Sequence, residues 1–287
     1  MRWQRGRRST NVEDRRGRRP RGRLLGGGLG TIVILLVGMY FGVDLSFLVQ
    51  GLQSSSVSTQ GGSVPTAEEL RNDPLADMLA VVMADTEDVW TEVFATSGRR
   101  YEEPTLVLFN GSTSSACGLG QAAMGPFYCP ADKNAYIDLS FFRDLRERFR
   151  APGDFAQAYV IAHEVGHHVQ NLLGISSQVQ RMRRGVSQAE GNQLSVRLEL
   201  QADCFAGVWG RRADQSGANI RLDAGDIDEA LNAAAAIGDD RLQRQSRGTV
   251  APDSFTHGTS AQRQRWFRVG FESGDPDRCD TFSTDIL

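Results

Sequence analysis

At 287 residues, 40% apolar and 23% charged, the chain has the size and balance of a globular protein able to bury a real core, in one large domain or two small ones, which excludes a wholly disordered chain. The formal net charge of −3 conceals an asymmetry, because residues 1–23 hold ten Arg against Glu13 and Asp14, about +8, leaving about −11 for the rest.

From Leu24 to Val43 twenty consecutive residues carry no charge, about the length that crosses a hydrocarbon core roughly 30 Å thick. The stretch predicts one transmembrane helix. Arginines before it and acidic residues after it predict a cytoplasmic N-terminus, with everything after Asp44 on the far side, in the periplasm or at the cell exterior. A cleaved signal peptide fits less well, since the stretch is long and no small-x-small cleavage pattern follows it. The paired arginines lack the context of a twin-arginine signal, and beside a spanning helix they are not read as a nucleic-acid-binding arm. The chain therefore divides into a basic cytoplasmic segment (1–23), a transmembrane helix (24–43), a linker (44–66) and a folded domain (67–287).

The Gln, Ser and Gly of the linker bury too little surface to order it, so it reads as a tether. Apolar residues at helical spacing predict helix from Ala67 to Thr96, broken near Pro74. Thr105–Phe109 and Ala135–Leu139 are short and β-prone, with a Gly- and Ser-rich segment between them that carries Cys117 and Cys129. Asp154 with Gln157 forms a capping-box pattern, and an apolar series runs from Phe155 to a stop at Gly174. Further helices are expected near Gln193–Asp214, Ile227–Ile237 and Ala261–Glu272. There are no internal repeats, and the elements predict an α+β fold, mostly helical with a small sheet. Four cysteines beyond the apolar stretch permit two disulfides in three connectivities, of which Cys117–Cys129 with Cys204–Cys279 is preferred; no Cys-x-x-Cys pair supports a zinc knuckle.

Within the best-signalled helix stands His163-Glu164-Val165-Gly166-His167. Residues four apart on a helix are offset by about 40° and separated by about 6 Å, so the two imidazoles reach one point, half of a tetrahedral zinc site. Glu164 lies at the edge of that face, where its carboxylate can serve a hydrolytic water as general base without binding the metal. A third ligand is needed. Gln170 and Leu173 occupy the positions where a metzincin has Gly and His, which closes that route. Downstream, Glu199 and Asp203 lie four apart on a second predicted helix with small residues at Ser195, Ala202 and Ala206, which permit close approach to the first. Glu199 becomes the third ligand, and Asp203 accepts the outer N–H of a ligand histidine.

The chain here resembles the gluzincin metallopeptidases and, more closely, a bacterial family of neutral zinc metallopeptidases. The resemblance rests on Gly125–Pro130, Tyr136–Phe142, Ala162–Gln170, Glu199–Gly207 and Thr256–Gln262 leading into Gly274-Asp-Pro. It implies a zincin-like domain and Zn²⁺-dependent hydrolysis of peptide or protein substrates. His168, about 100° around the helix from His167, is read as a contact beside the site or a surface group. His257, in a Gly-flanked turn, is a candidate to hydrogen-bond the oxyanion, and Tyr128 a weaker one. The strand Ala135–Leu139 is the expected edge along which substrate lies. The rival reading is a non-catalytic zinc-containing envelope scaffold that binds a partner, to which an unligated Glu164 would be of no use.

Overall fold

The computed structural model describes residues 1–17, 68 and 71–287. The expected transmembrane helix at 24–43 and the linker at 44–66 lie outside these residues. Among the described residues no helix is long and apolar enough to cross a membrane.

The helical run is interrupted just ahead of Pro74, as expected: residues 68 and 71 are helical, Asn72 and Asp73 are not, and Pro74 opens the next helix. Asp73 accepts from the backbone N–H of Leu75 and Ala76, and Pro74 fills the first turn of α1 (Pro74–Thr96), where its missing N–H has no consequence. The helix is buried on nearly every side, Asp85, Thr86 and Glu87 included.

Against it stands a four-stranded sheet of order β1-β2-β6-β5. β2 (Thr105–Phe109) and β6 (Asn134–Asp138) run parallel at its centre. β1 (Val12–Asp14) joins parallel to β2, and β5 (Phe127–Cys129) antiparallel to β6. The strand expected as the substrate edge is therefore interior, a correction: β6 has neighbours on both sides, and among the described residues the edges are β1 and β5. β3 (Ser112–Ser115) and β4 (Gly118–Gln121) form a separate hairpin.

The remaining chain is helical: α2 (Ser140–Glu147), α3 (Asp154–Leu172), α4 (Ile175–Arg183), α5 (Gln188–Ser216), α6 (Asp226–Ala236), α7 (Asp239–Arg247) and α8 (Ser260–Ser273). α3 begins where expected, but Gly153 holds the cap position, and Asp154 inside the first turn pairs with the α-ammonium of Met1 at 2.9 Å. α5 starts earlier than its apolar pattern shows because Ser187 and Glu190 close a capping box ahead of it. At Gly166 an added Cβ would lie 2.9 Å from the Ala202 carbonyl, and at Gly270 1.9 Å from that of Cys204, so α3 and α8 both press backbone to backbone on α5. Phe155 stacks on Trp209 behind this crossing.

Both disulfides pair as preferred, Cys117–Cys129 across 12 residues and Cys204–Cys279 across 75. Closing loops of these lengths in the unfolded chain corresponds to roughly 3 and 4.5 kcal/mol of stabilisation in the chain-entropy account.

Residues 1–17, set apart by their charge, are built into the domain. β1 completes the sheet, and the arginines around it meet carboxylates distant in sequence. Arg8 grips both oxygens of Asp77 at 2.9 and 2.6 Å. Arg7 reaches Glu87 and Asp88, each at 2.8 Å. Arg16 pairs with Asp14 and with Asp73, the residue capping α1. Glu87 is only 2% exposed, and its hydrogen bonds among the described residues all come from this arm: Arg7 at 2.8 Å, Asn11 at 2.9 Å, and the Ser9 hydroxyl.

Candidate metal centre

His163 and His167 leave α3 toward Glu199 of α5. His163 Nε2 lies 3.2 Å from Glu199 Oε2 and His167 Nε2 3.5 Å from Oε1. Four bonds of about 2 Å to a tetrahedral ion span edges of about 3.3 Å, so these separations are those of a ligand set. His163, His167 and Glu199 form a group whose ligand atoms all lie within 4.8 Å of one another.

The outer nitrogens are held so that both Nε2 atoms face Glu199. Asp203 Oδ1 accepts from His163 Nδ1 at 2.8 Å. Gln170 Oε1 faces His167 Nδ1 at 2.9 Å. The Gln170 amide cannot turn over, because its Nε2 already donates to the Leu198 carbonyl and to Gln201 at 2.6 and 3.1 Å. Asp203 in turn accepts from the Tyr159 hydroxyl and from Arg263 of α8, at 2.8 Å from Nε and 2.9 Å from Nη2.

The charges fit a cation. Burial works against ionisation of Asp203, but Arg263 and His163 hold its carboxyl down at about 2. Burial likewise opposes a charge on His163, yet Asp203 and Glu199 raise it to about 9. Burial raises Glu199 too, and the imidazoles nonetheless keep it well below the usual carboxylate range. Two imidazoles and a carboxylate in this field fit zinc.

Glu164 lies outside the ligand group and lines the same cavity of ≈ 720 Å³, with burial pushing its carboxyl above the usual range. His257 lines that cavity as well. Asp239 Oδ2 gathers the backbone N–H groups of Thr256, His257 and Gly258 at 2.7, 2.6 and 3.0 Å, which fixes the turn that carries it. The Asp239 carboxylate also raises the His257 imidazole.

Tyr128 is differently engaged. Its oxygen lies 3.0 Å from His168 Nδ1 and accepts from Asn171 Nδ2 at 3.0 Å. His168 is not a surface group: it is fully buried, and burial lowers its imidazole to about 4.

Of the residues singled out in the sequence, His163, Glu164, His167, Glu199 and His257 line one cavity, and Asp203 stands behind His163. The sequence reading missed Arg263, Tyr159 and the role of Gln170. Only Gln170, one turn after His167 on the same helix, left a legible trace.

Two imidazoles and a carboxylate on crossed helices of an α+β domain thus meet in one cleft, with the Glu164 carboxyl beside them, an arrangement suited to holding a metal ion. The chain matches the model of the family described as "Putative neutral zinc metallopeptidase" over residues 1–282, arm included, and belongs to that family. It is 52% identical to the "Uncharacterized protein YpfJ" of Escherichia coli (strain K12), with 100% of each chain covered. It is 49% identical over 191 residues to the "Uncharacterized protein Rv2575" of Mycobacterium tuberculosis (strain ATCC 25618 / H37Rv), covering 64% of each. No solved structure matches the chain.

Asp203 offers a test of the outer contacts. Asp203→Ala should weaken zinc affinity or activity about 10- to 100-fold without abolishing it, as loss of a group orienting a ligand does. Zinc titration of the purified variant measures this, and unchanged affinity and activity would remove Asp203 from the centre.

Proposed function

We propose that the protein is a zinc-dependent peptidase of the zincin type. The observation that carries this reading is Glu164, a buried carboxyl beside the ligand group yet outside it, facing a cleft bordered by the open edge of β5. Zinc held by His163, His167 and Glu199 would supply Lewis-acid polarisation of a carbonyl and lower the pKa of a hydrolytic water toward about 7. Glu164 takes the proton from that water and returns it to the leaving amine. An extended peptide pairs its backbone with β5, which brings a peptide bond over Glu164. His257, pinned by Asp239, donates to the oxyanion. Tyr128 is a poor rival, since its hydroxyl proton is directed to His168.

Two disulfides support a domain lying outside the cytoplasm. The 24–43 stretch is the proposed membrane contact, and the arm shares the domain's compartment. Nucleic acid is not a proposed partner, because Arg7, Arg8, Arg15 and Arg16 are engaged with carboxylates.

The test is zinc stoichiometry of the purified chain together with digestion of a broad peptide library. One zinc per chain and chelator-sensitive cleavage are expected. Zinc without cleavage of any peptide would replace the enzyme by a zinc-containing scaffold. Within the enzyme reading, His257→Ala should lower kcat about 100-fold with zinc content unchanged, as loss of one oxyanion donor does; an unaltered kcat would remove His257 from the chemistry.

A further inference from the structure

His168 directly follows His167 of the ligand group, yet its side chain leaves α3 about 100° around the helix and is wholly buried. Its Nε2 lies 2.6 Å from the backbone carbonyl of Glu102, just ahead of β2. A carbonyl only accepts, so Nε2 carries the proton, and the neutral ring offers Nδ1 as an acceptor. Opposite Nδ1, at 3.0 Å, is the Tyr128 hydroxyl of β5, which therefore donates. Asn171, one turn further along α3, donates to the same Tyr128 oxygen at 3.0 Å and to the Pro130 carbonyl at 3.4 Å. Tyr101 and Tyr128 meet the imidazole edge-on, with centroids 5.6 and 5.5 Å away, which fixes the ring plane.

β5 is three residues long and, among the described residues, has a strand partner on one side only. Its other side borders the cleft, where Phe127, Tyr128 and Pro130 stand across from His167. The stacking of Phe127 on Tyr136 at 4.7 Å ties β5 to its own sheet, and the Cys117–Cys129 disulfide ties it to the turn of the β3–β4 hairpin. The hydrogen bonds from His168 and Asn171 instead tie it to the helix that holds the metal ligands.

We infer that His168 is a positioning residue: through Tyr128 it sets the edge strand β5 at a fixed distance from the metal-ligand helix, so that a peptide paired with β5 meets the catalytic groups in register. This rests on the reading of the cleft as a peptidase site. The metal ligands do not depend on it, because His167 is oriented by Gln170 and His163 by Asp203. Displacing β5 therefore acts on substrate placement and not on zinc.

Two substitutions separate the bonds of the imidazole. His168→Asn places an amide oxygen where Nδ1 accepts from Tyr128 and gives up the bond to Glu102. His168→Gln places an amide nitrogen where Nε2 donates to Glu102 and gives up Tyr128. His168→Gln and Tyr128→Phe should each raise KM about 10- to 100-fold with little change in kcat and with full zinc content, and the double variant should be no worse than either alone. His168→Asn should stay within a few-fold of wild type. In hydrogen exchange, the amides of residues 126–130 should exchange faster in His168→Gln and Tyr128→Phe than in wild type and His168→Asn. Equal KM for His168→Gln and His168→Asn, or additive effects of the two bond-breaking variants, would overturn the inference. If wild type cleaves no peptide, the peptidase reading fails on its own, and exchange over 126–130 still decides whether His168 holds the strand.

Discussion

Glu164→Gln is expected to lower peptide hydrolysis by about 10²- to 10⁴-fold while the protein keeps its fold and one zinc per chain. The substitution preserves size and hydrogen-bonding capacity but removes the only group in the scheme that can accept the water's proton, and general-base assistance is typically of that magnitude. Glu164 lies outside the ligand group, so zinc content should not respond. Glu199→Ala makes the complementary loss. It removes a ligand and leaves two imidazoles, too few to hold the ion tightly, so zinc should be absent after dialysis and activity lost with it. Metal analysis and library digestion of both variants form one experiment. Wild-type rates in Glu164→Gln would end the general-base assignment, and full zinc occupancy in Glu199→Ala would remove that residue from the centre.

The core of the site was legible because its signals are local. His163, Glu164 and His167 lie on one helical turn, and Glu199 and Asp203 on another, so helix periodicity alone puts each set on one face. Small residues at Ser195, Ala202 and Ala206 pointed to a close crossing, and at Ala202 the backbone meets that of Gly166. Arg263 left no such trace. It reaches Asp203 from 60 residues away, on a helix whose pattern reads as an ordinary amphipathic surface, and an arginine bound for a buried carboxylate looks the same in sequence as a solvated one. β5 escaped for another reason. Three residues are too few to show alternation, so the longer run Ala135–Leu139 drew the assignment of substrate edge, although strand order places it inside the sheet.

The packing of the arm was hidden by the same physics. Ten arginines in 23 residues match the charge signal that orients a membrane helix, and composition cannot show that Asp77, Glu87 and Asp88 wait for them on α1. Val12–Asp14, a three-residue strand with two charges, has no apolar alternation to betray it.

Deleting residues 1–16 should therefore cost the domain far more than loss of an exposed tail. It uncovers the edge of β2 and strips Glu87 of the guanidinium, hydroxyl and amide that its buried carboxylate accepts from. An uncompensated buried charge alone costs about 3–5 kcal/mol. In a domain of this size, at about 2–4 °C per kcal/mol, Tm should fall by roughly 10 °C or more, if the variant folds at all. Glu87→Met, introduced into the truncated chain, removes the orphaned charge and should recover part of that loss. A truncated protein that melts within about 2 °C of the full chain would reduce the arm to an adornment. The same packing bears on the membrane. A single crossing between residues 17 and 71 would set Arg16 and Asp73 on opposite sides of a hydrocarbon core about 30 Å thick, whereas the two are ion-paired. Cysteines placed at the exposed positions Thr10 and Arg247 should thus react alike with a membrane-impermeant maleimide on intact cells. Reaction at Arg247→Cys but not at Thr10→Cys would restore the cytoplasmic arm and detach it from the domain.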